Sequence, residues 1–281
     1  LFTKPTQLLS LWQEIASNFY PERADFTTHR SIGQEFASDL MTSYPILARR
    51  DLGNTLGTML RPTAKEWFHI RTEKEAPEDI EGRRWLEWAE VVMRRAMYDR
   101  VTQFVRASKE GDHDFAAFGQ CAISVELNRH ANALLYRCWH LRDMAWAENE
   151  EGKIGQVYRK WKPTVRDLVR LFGDHVHPEV KSIAAKDPFQ EVNCLHMVVE
   201  ADMFDGSEKT PYVSVYYDVD HDVELEVVGI YHPIYVIPRW QTVSGSQYAY
   251  SPSTVAALPD ARLIQAMTST LLEAGEKLTN P

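Results

Sequence analysis

The chain has 281 residues, 44% of them hydrophobic, which is enough for one large globular domain or two ordinary ones. Its net charge of −9 excludes a nucleic-acid-binding surface of the uniformly basic kind. The three cysteines, Cys121, Cys138 and Cys194, form no Cys-x-x-Cys pair, so the sequence predicts buried free thiols rather than a zinc ribbon or a disulfide framework. No apolar run approaches the length of about 18 residues that predicts a membrane span.

The N-terminal part of the chain is predicted to be helical. Apolar residues recur at helical spacing in residues 6–20 and again in residues 47–60. Arg61-Pro62 ends the second helix, because the residue before a proline avoids the helical conformation. Residues 31–44 between the two helices predict a loop with a short helical patch, and residues 67–71 predict a short extended segment.

The strongest helical period covers residues 79–109. Its apolar positions hold a 3.6-residue period for about 20 residues, and they are Leu86, Ala89, Met93, Ala96, Met97, Val101, Phe104 and Val105. Its polar side carries six arginines, which indicate either a solvated face paired with acidic neighbours or a contact surface for another subunit or DNA. Gly111–Asp114 then predicts the cap of a second short helix, Phe115–Gln120.

Alternating apolar residues follow, which is the period of β-strands. Residues 121–162 predict an antiparallel meander of four strands, with polar turns at Asn128–Asn132 and Asn149–Lys153. Two short helices come next, Pro163–Gly173 and Pro178–Lys186. The later strands form a second set within about residues 191–240, and they are predicted at Val192–Val199, Tyr212–Tyr217 and Val223–Val228.

The sharpest acidic cluster is Asp218-Val-Asp-His-Asp222, whose three carboxylates could bind a hard cation. The EF-hand calcium loop needs glycine at its sixth position, and this position holds Val223. A polar hairpin tip between two strands explains the cluster without a metal. The sequence therefore predicts no metal ligand here.

Histidines and nucleophile motifs give no stronger signal. His175 and His177 are interpreted as residues of a polar loop, and His196 as a core histidine with satisfied hydrogen bonds. Gly245–Ala249 lacks the second glycine of a nucleophile elbow. Glu151–Ile154 contains Gly-Lys but lacks the first glycine and the Ser/Thr of a phosphate loop. An enzyme would need a site assembled from distant residues.

The C-terminal segment joins an apolar strand, Tyr231–Ile237, to a proline-started helix. A loop rich in Gly, Ser and Tyr lies between them. Leu258-Pro-Asp260 predicts the start of a helix that projects from the body over about 30 Å, because each of some 20 residues rises about 1.5 Å. The apolar stripe on this helix comprises Leu263, Ile264, Met267, Leu271 and Leu272. Such a stripe predicts a partner helix, supplied either by residues missing from this chain or by a neighbouring subunit.

The order of these features resembles the podovirus head-to-tail connector, or portal, family. The matching segments follow the family's order over about 240 residues: Phe19–Arg23, Leu56–Phe68, Tyr158–Leu168 through Phe172-Gly173, Pro238–Trp240, Gly245–Tyr248, Ser251-Pro252 and Ala257–Asp260. Tyr248-Ala-Tyr250 departs from the family, which often has Tyr-Gly-Arg there. The departure puts the conformation of that loop in doubt.

The resemblance implies an α+β fold, with a wing domain of helices and antiparallel sheet at residues 1–256 and a first stem helix at residues 257–281. It also implies that the chain stops before a clip, a second stem helix and a crown. The implied protein is a structural subunit with no catalytic residue, cofactor or metal.

The same resemblance implies a homododecameric ring at one capsid vertex, through which double-stranded DNA passes during packaging and ejection. An acidic chain suits such a channel, because many Lys/Arg contacts would hold the DNA tightly. The implied partners are other copies of the chain, the capsid protein, terminase and a tail adaptor, with no membrane. The implied location is the virion, after synthesis in the host cytoplasm.

Two alternatives stay open from the residues themselves. One is a metal-dependent nuclease or hydrolase that uses Asp218, Asp220 and Asp222. The other is a capsid adaptor that has no DNA channel. Ligand geometry would test the first alternative, and the number of subunits would test the second.

Overall fold

The computed structural model describes residues 4, 6–31, 33–35, 37, 39–62, 65–72, 79–204 and 209–279. Three residues of the predicted loop at 31–44 therefore lie outside the described residues. The chain divides into two compact units, and each is described by itself. The helical unit comprises Pro5–Cys138 and Ile237–Pro281, and the sheet unit comprises Leu1–Lys4 and Trp139–Val236.

Helices and strands are both abundant, which agrees with the predicted α+β class. The helices are α1 Thr6–Phe19, α2 Tyr44–Leu60, α3 Ile80–Met97, α4 Phe104–Phe118, α5 Val165–Phe172, α6 Pro178–Lys186 and α7 Pro252–Thr279. The strands are β1 Ala122–Leu127, β2 Leu134–Trp139, β3 Met144–Glu148, β4 Ile154–Trp161, β5 Cys194–Glu200, β6 Tyr212–Asp218, β7 Val223–Ile230 and β8 Tyr235–Val236. No helix in the described part of the chain has the length and apolar character needed to cross a bilayer.

The helix predicted at residues 79–109 is wrong in its extent, because it is broken between α3 and α4. Asp99 caps a short 3₁₀ turn by accepting a hydrogen bond from Val101 N at 3.0 Å. Gln103 then adopts the left-handed conformation, with φ of 58°. The Thr102 hydroxyl donates to the Met97 carbonyl at 2.6 Å, which satisfies an acceptor at the end of α3.

The predicted cap at Gly111–Asp114 is also wrong, because α4 runs through this segment to Phe118. Glycine weakens a helix interior by about 1 kcal/mol, but here it allows close packing. A Cβ atom on Gly111 would lie 2.9 Å from the Ile123 Cδ1 atom and 3.3 Å from the Cys121 Sγ atom. The helix keeps its glycine because the β1 side chains occupy that space.

The four strands predicted at residues 121–162 do not form one meander. β1 and β2 are neighbours in one sheet, whereas β3 and β4 belong to another. A 3₁₀ turn at Leu141–Asp143 replaces the hairpin expected between β2 and β3. β3 and β4 instead join the second set of strands in an antiparallel sheet of order β3-β4-β5-β6-β7.

Each unit has its own core. In the helical unit, Trp12 is 1% exposed and packs against the rings of Phe26, Phe118 and Tyr248 at centroid distances of 5.5, 6.3 and 5.7 Å. In the sheet unit, α5 and α6 supply buried side chains to a cluster with strand residues. Its buried members are Val165, Leu168, Val176, Val180, Val192, Cys194 and Leu225.

Candidate functional site

Helix α7 begins at Pro252, so the predicted start at Leu258–Asp260 is wrong. The Ser251 hydroxyl oxygen accepts a hydrogen bond from Thr254 N at 3.5 Å, and proline at the first helical position needs no N–H partner. Pro259 consequently lies inside the helix, where it removes one intrahelical hydrogen bond. The prediction placed the start of the helix at Pro259, whereas Pro252 begins it.

The N-terminus of α7 is fixed to the C-terminus of α4. The hydroxyl groups of Ser251 and Thr254 donate to the carbonyl oxygens of Ala116 and Ala117 at 2.7 and 2.6 Å. Those carbonyls lie in the last turn of α4, where a helix has acceptors without intrahelical partners. Leu258, further along α7, is buried as well. The first two turns of α7 are therefore part of the helical unit's core.

Gly119, which ends α4, allows the segment before α7 to approach the α4 backbone closely. It has a φ of 73°, and a Cβ atom there would lie 2.1 Å from the Tyr250 carbonyl carbon. Its carbonyl oxygen accepts a hydrogen bond from Trp240 N at 2.7 Å. The Trp240 ring stacks on Phe115 at a centroid distance of 5.3 Å. Trp240 and Tyr250 thus hold the two ends of residues 238–251 against the end of α4.

Polar contacts of two side chains, Arg262 and Gln265, hold the middle of α7. The Gln265 side-chain Oε1 atom accepts from Met41 N at 2.7 Å, and the Arg262 guanidinium donates to the Glu14 carboxylate at 2.6 Å. Every residue from Thr270 to Thr279 is exposed. One end of the helix is therefore buried, and its last ten residues have no cover within the described chain.

The exposed part of α7 carries an apolar stripe. Leu263, Met267, Leu271 and Leu278 are all more than half exposed. At about 100° per residue they fall within an arc of about 80°, nearly opposite the buried arc that contains Leu258. Leu272, which the sequence assigned to the same stripe, lies about 140° from the centre of this arc by the same rotation.

A second exposed apolar face lies on α3, where Leu86 is the only buried residue. Trp85, Trp88 and Val92 recur at i, i+3 and i+7 and are exposed by 61%, 60% and 41%. The arginine side predicted for this region is mostly solvated, although Arg94 approaches Glu66 at 3.5 Å. The sequence analysis did not identify Trp85 and Trp88 as an exposed pair. Their spacing can be read from the sequence, but their exposure cannot.

The three carboxylates Asp218, Asp220 and Asp222 do not converge on one point in the described structure, since each has its own partner. Asp218 is fully buried and contacts the His221 Nδ1 atom at 2.8 Å. Asp220 accepts from Asn193 N at 2.8 Å, and this hydrogen bond lowers the pKa of the Asp220 carboxyl. Asp222 accepts a hydrogen bond from the Tyr217 hydroxyl. The predicted polar turn between β6 and β7 is confirmed.

The histidine interpretations have different outcomes. His196 is fully buried and bonded through both ring nitrogens, to the Tyr235 hydroxyl at 2.6 Å and the Ser214 hydroxyl at 2.9 Å, so its prediction as a satisfied core residue is confirmed. Burial, and next the Arg159 charge, place its pKa well below the usual value. His175 is exposed. His177 caps α6 and stacks on His221.

The motif-like loops have ordinary structural roles. Glu151 and Lys153 form an exposed ion pair at 2.6 Å in the β3–β4 turn. Gly152 and Gly245 have φ values of 72° and 85°, and nothing lies within 4 Å of a Cβ atom on either. All three cysteines are free thiols. Burial raises the pKa of the Cys194 thiol to about 12, which makes it a poor nucleophile at neutral pH.

A family model and two similar curated proteins all relate this chain to phage proteins of the head-to-tail junction. The model of a family described as bacteriophage head to tail connecting protein matches residues 2–281. A probable portal protein of Bordetella phage BPP-1 is 25% identical over 291 residues, which cover 100% of this chain and 52% of that protein. The portal protein of Salmonella phage epsilon15 is 24% identical over 245 residues, which cover 84% and 43%. The chain spans about half the length of these curated relatives.

Proposed function

The chain belongs to the bacteriophage head to tail connecting protein family, and from this we propose that it is a structural subunit of a phage portal. In this proposal, copies of the chain form a closed ring at one capsid vertex, and double-stranded DNA passes through the ring. The observation that carries the proposal is the family match over residues 2–281.

The stripe on α7 supports assembly with other copies of the chain. Monomeric proteins rarely leave a continuous apolar face of this kind uncovered, and a helix with one apolar stripe packs it against another element. Leu263, Met267, Leu271 and Leu278 face away from the buried side of α7, so this packing needs a surface other than the one that already holds the helix. A helix of a neighbouring subunit supplies such a surface in a ring.

The tryptophan face on α3 supports a second contact. Tryptophan is the residue type most enriched among side chains that dominate binding energy at protein interfaces. Trp85 and Trp88 are about 60% exposed, which leaves much of their apolar area available. Two different faces, one on α3 and one on α7, suit a head-to-tail contact, because such contacts close into a ring of cyclic symmetry.

The remaining assignments rest on family membership. Residues 1–256 are assigned to the wing and residues 257–281 to the first stem helix, with Pro252–Ala256 leading into it. Twelve copies, capsid protein, terminase and a tail adaptor are the proposed partners, and the virion is the proposed location after synthesis in the host cytoplasm. The subunit needs no catalytic residue, because a separate ATPase would drive packaging.

Neither alternative function gains support from the geometry. A hydrolase built on Asp218, Asp220 and Asp222 would need carboxylates that face one ion, and each of the three is engaged separately. A capsid adaptor without a channel is less favoured because both curated relatives are named portal proteins, one of them as a probable one.

Native mass spectrometry of the protein expressed from its complete open reading frame tests the proposal. We expect a single closed assembly of many subunits. A monomer or a dimer at every concentration would overturn it.

A substitution on the stripe tests the contact surface. In Leu271→Asp, a charge replaces an apolar side chain that is 70% exposed in the single chain. The melting temperature of the monomer should therefore stay the same. The assembly should dissociate at least tenfold more readily. Leu272→Asp is the matched control, because it makes the same change at a leucine that is 55% exposed but lies about 140° from the centre of the stripe. Equal assembly by both variants would exclude α7 from the interface.

A further inference from the structure

Three potential metal ligands from two distant segments of the sheet unit lie close together. His177 immediately precedes α6, Glu179 lies in the first turn of α6, and His221 lies in the β6–β7 turn. A ring nitrogen of each histidine and a carboxylate oxygen of Glu179 lie within 4.8 Å of one another. The two imidazole rings stack at a centroid distance of 5.2 Å and an interplanar angle of 22°.

A buried carboxylate orients one of these histidines. The Asp218 Oδ2 atom lies 2.8 Å from the His221 Nδ1 atom, and the Asp218 Oδ1 atom accepts from the backbone N–H groups of Asp220 and His221 at 3.1 and 3.2 Å. Because a carboxylate accepts hydrogen bonds, it favours the tautomer with the proton on Nδ1. The Nε2 atom of His221 then carries the lone pair that a metal can bind, as in the carboxylate–histidine–metal arrangement.

His177 is held less firmly. Its Nδ1 atom accepts a hydrogen bond from Glu179 N at 3.3 Å, which is long for an N–H···N contact. Metal coordination can replace this bond at small cost. The Glu179 side chain is exposed, and its ligand oxygen already lies within 4.8 Å of a nitrogen of each ring.

We propose that His177, Glu179 and His221 form a binding site for Zn²⁺, with Asp218 as the residue that positions His221. Two imidazoles and one carboxylate are a ligand set that zinc accepts with bonds of about 2.0–2.2 Å, and water would complete the tetrahedron. The sequence predicted no metal because His177 and His221 are separated by 44 positions, and only the packing of the β6–β7 turn against α6 brings them together.

The other cluster of potential ligands, Glu66, His69 and Glu90, fits a metal less well. Both carboxylate oxygens of Glu90 are engaged, one by Ile70 N at 2.6 Å and the other by His69 Nδ1 at 3.1 Å. Glu66 also approaches Arg94. A cation would have to displace each of these contacts.

Zinc at the proposed site would link the start of α6 to the β6–β7 turn. Such a link closes a loop of more than 40 residues, and closing a long loop reduces the conformational entropy of the unfolded chain. The role assigned to the metal is therefore stabilisation of the sheet unit. This role is independent of ring assembly and of the proposed portal function.

Zinc binding by the complete protein, stripped of metal with a chelator, tests the proposal. Isothermal titration with zinc chloride should give one site per chain, and zinc should raise the melting temperature. His177→Ala and His221→Ala should each weaken the affinity at least tenfold, and Glu179→Gln should weaken it less. His175→Ala is the matched control, since it removes an exposed histidine two residues from His177 and should leave the affinity unchanged.

Two further measurements keep the proposal falsifiable if a variant is unstable. Asp218→Asn should weaken zinc binding about 10- to 100-fold while all three ligands stay in place, and Asp218→Glu should restore part of the affinity. X-ray absorption of the zinc-loaded wild type should show nitrogen and oxygen ligands with imidazole scattering. Sulfur ligation, or equal affinity in the wild type and both histidine variants, would overturn the assignment.

Discussion

Asp114 is fully buried in α4, and its carboxylate accepts two hydrogen bonds from the Arg23 guanidinium, at 3.1 and 2.9 Å. Burial, the largest single effect, lowers the pKa of Arg23, but the charge and hydrogen bonds of Asp114 together with Cys138 and Tyr20 outweigh it, and the pKa is raised. The guanidinium therefore stays charged. The pair joins residues 91 positions apart, and two parallel hydrogen bonds make it more directional than a single contact.

Removal of the Asp114 charge should destabilise the helical unit strongly. In Asp114→Asn the Arg23 charge stays largely buried without its counter-charge, and breaking a buried pair in this way costs about 3–5 kcal/mol. Glu110→Gln on the same helix is the control, because it breaks the exposed pair with Arg106, and such pairs contribute less than about 1 kcal/mol. Urea unfolding measures both. A loss below about 1 kcal/mol for Asp114→Asn would contradict the expected role of the pair.

His196 lies in a buried chain of hydrogen bonds that fixes its neutral form. The Arg159 Nε–H group donates to the Tyr235 hydroxyl at 2.8 Å. Because that hydroxyl accepts from Arg159, its own hydrogen can be donated to His196 Nδ1, and the neutral ring then carries its proton on Nε2, next to the Ser214 hydroxyl. A protonated ring would have two N–H groups, and the Tyr235 hydroxyl would have to reverse its direction.

The stability of the sheet unit should consequently fall in mild acid. The pKa of His196 lies well below its unfolded value of about 6.5. Between these two values the unfolded chain binds the extra proton, so stability is complete above about pH 6.5 and is lost as the pH falls, by up to about 1.4 kcal/mol per pH unit.

Urea unfolding between pH 7.5 and 5, monitored on the sheet unit, measures the slope. His196→Gln should flatten it, whereas His232→Gln, at an exposed position, should not change it. A slope that persists unchanged in His196→Gln would assign the pH dependence to another group.

The residue scale also shows what local sequence can reveal. A lone histidine between apolar residues was correctly predicted as a core residue, because strand alternation placed it on the buried face. Asp114 belongs to the segment Gly111–Asp114 that was predicted as a helix cap, and aspartate is indeed a preferred N-cap residue. Its true partner, Arg23, is 91 positions away, and no local pattern indicates that contact.

At the scale of elements, the turn from α4 to β1 depends on Gly119. Its left-handed backbone excludes most side chains, and the Tyr250 backbone fills the space that a Cβ atom would need. The turn therefore controls where the segment before α7 can lie.

Gly119→Ala should cost more than the conformational strain alone. Alanine in the left-handed region costs about 1–2 kcal/mol, and the clash with Tyr250 should raise the total above about 3 kcal/mol. Gly245→Ala in the same unit is the control, since Gly245 has a φ of 85° but open space around it. Thermal and urea unfolding compare the two. Equal losses would show that the backbone at Tyr250 moves freely.

The predicted elements were correct where the residues that begin or end an element agreed with the spacing of its apolar residues. Pro178–Lys186 was predicted with its observed bounds, because proline begins the helix and its apolar period is regular. The break between α3 and α4 was missed because apolar residues keep nearly the same spacing across Tyr98–Gln103. Thr102 and Asp99 terminate the helix through hydrogen bonds that compete with the helical pattern, and these contacts are not periodic.

For the whole molecule, the order of motifs predicted the family. The pairing of the strands could not be predicted from the local pattern of apolar residues. The pairing of β4 with β5, which joins β3 and β4 to the other three strands, is between residues more than 30 positions apart. The exposed stripe on α7 was predicted in outline, and only the observed burial of Leu258 showed which side of the helix faces the core. The cluster of His177 with His221 has the same origin in long-range packing.

The net charge of −9 predicts weak binding to DNA. A channel protein gains from this, because DNA must slide past it, and each Lys/Arg contact with phosphate adds salt-dependent affinity. We expect a dissociation constant weaker than about 100 µM for a short duplex at about 0.15 M salt. Fluorescence anisotropy with a labelled duplex measures it. Submicromolar binding with a steep salt dependence would show a basic surface that opposes sliding.

The contrast between the two ends of α7 has a consequence for amide hydrogen exchange. The backbone N–H groups near Leu258 are buried in the helical unit's core. They should exchange only when α4 also opens, because the hydroxyl groups of Ser251 and Thr254 donate to carbonyl oxygens in the last turn of α4. Those from Thr270 to Thr279 should exchange through fraying, within one continuous helix. Contact with a neighbouring copy would slow the second group alone, so the exchange rate of these ten residues reports assembly directly.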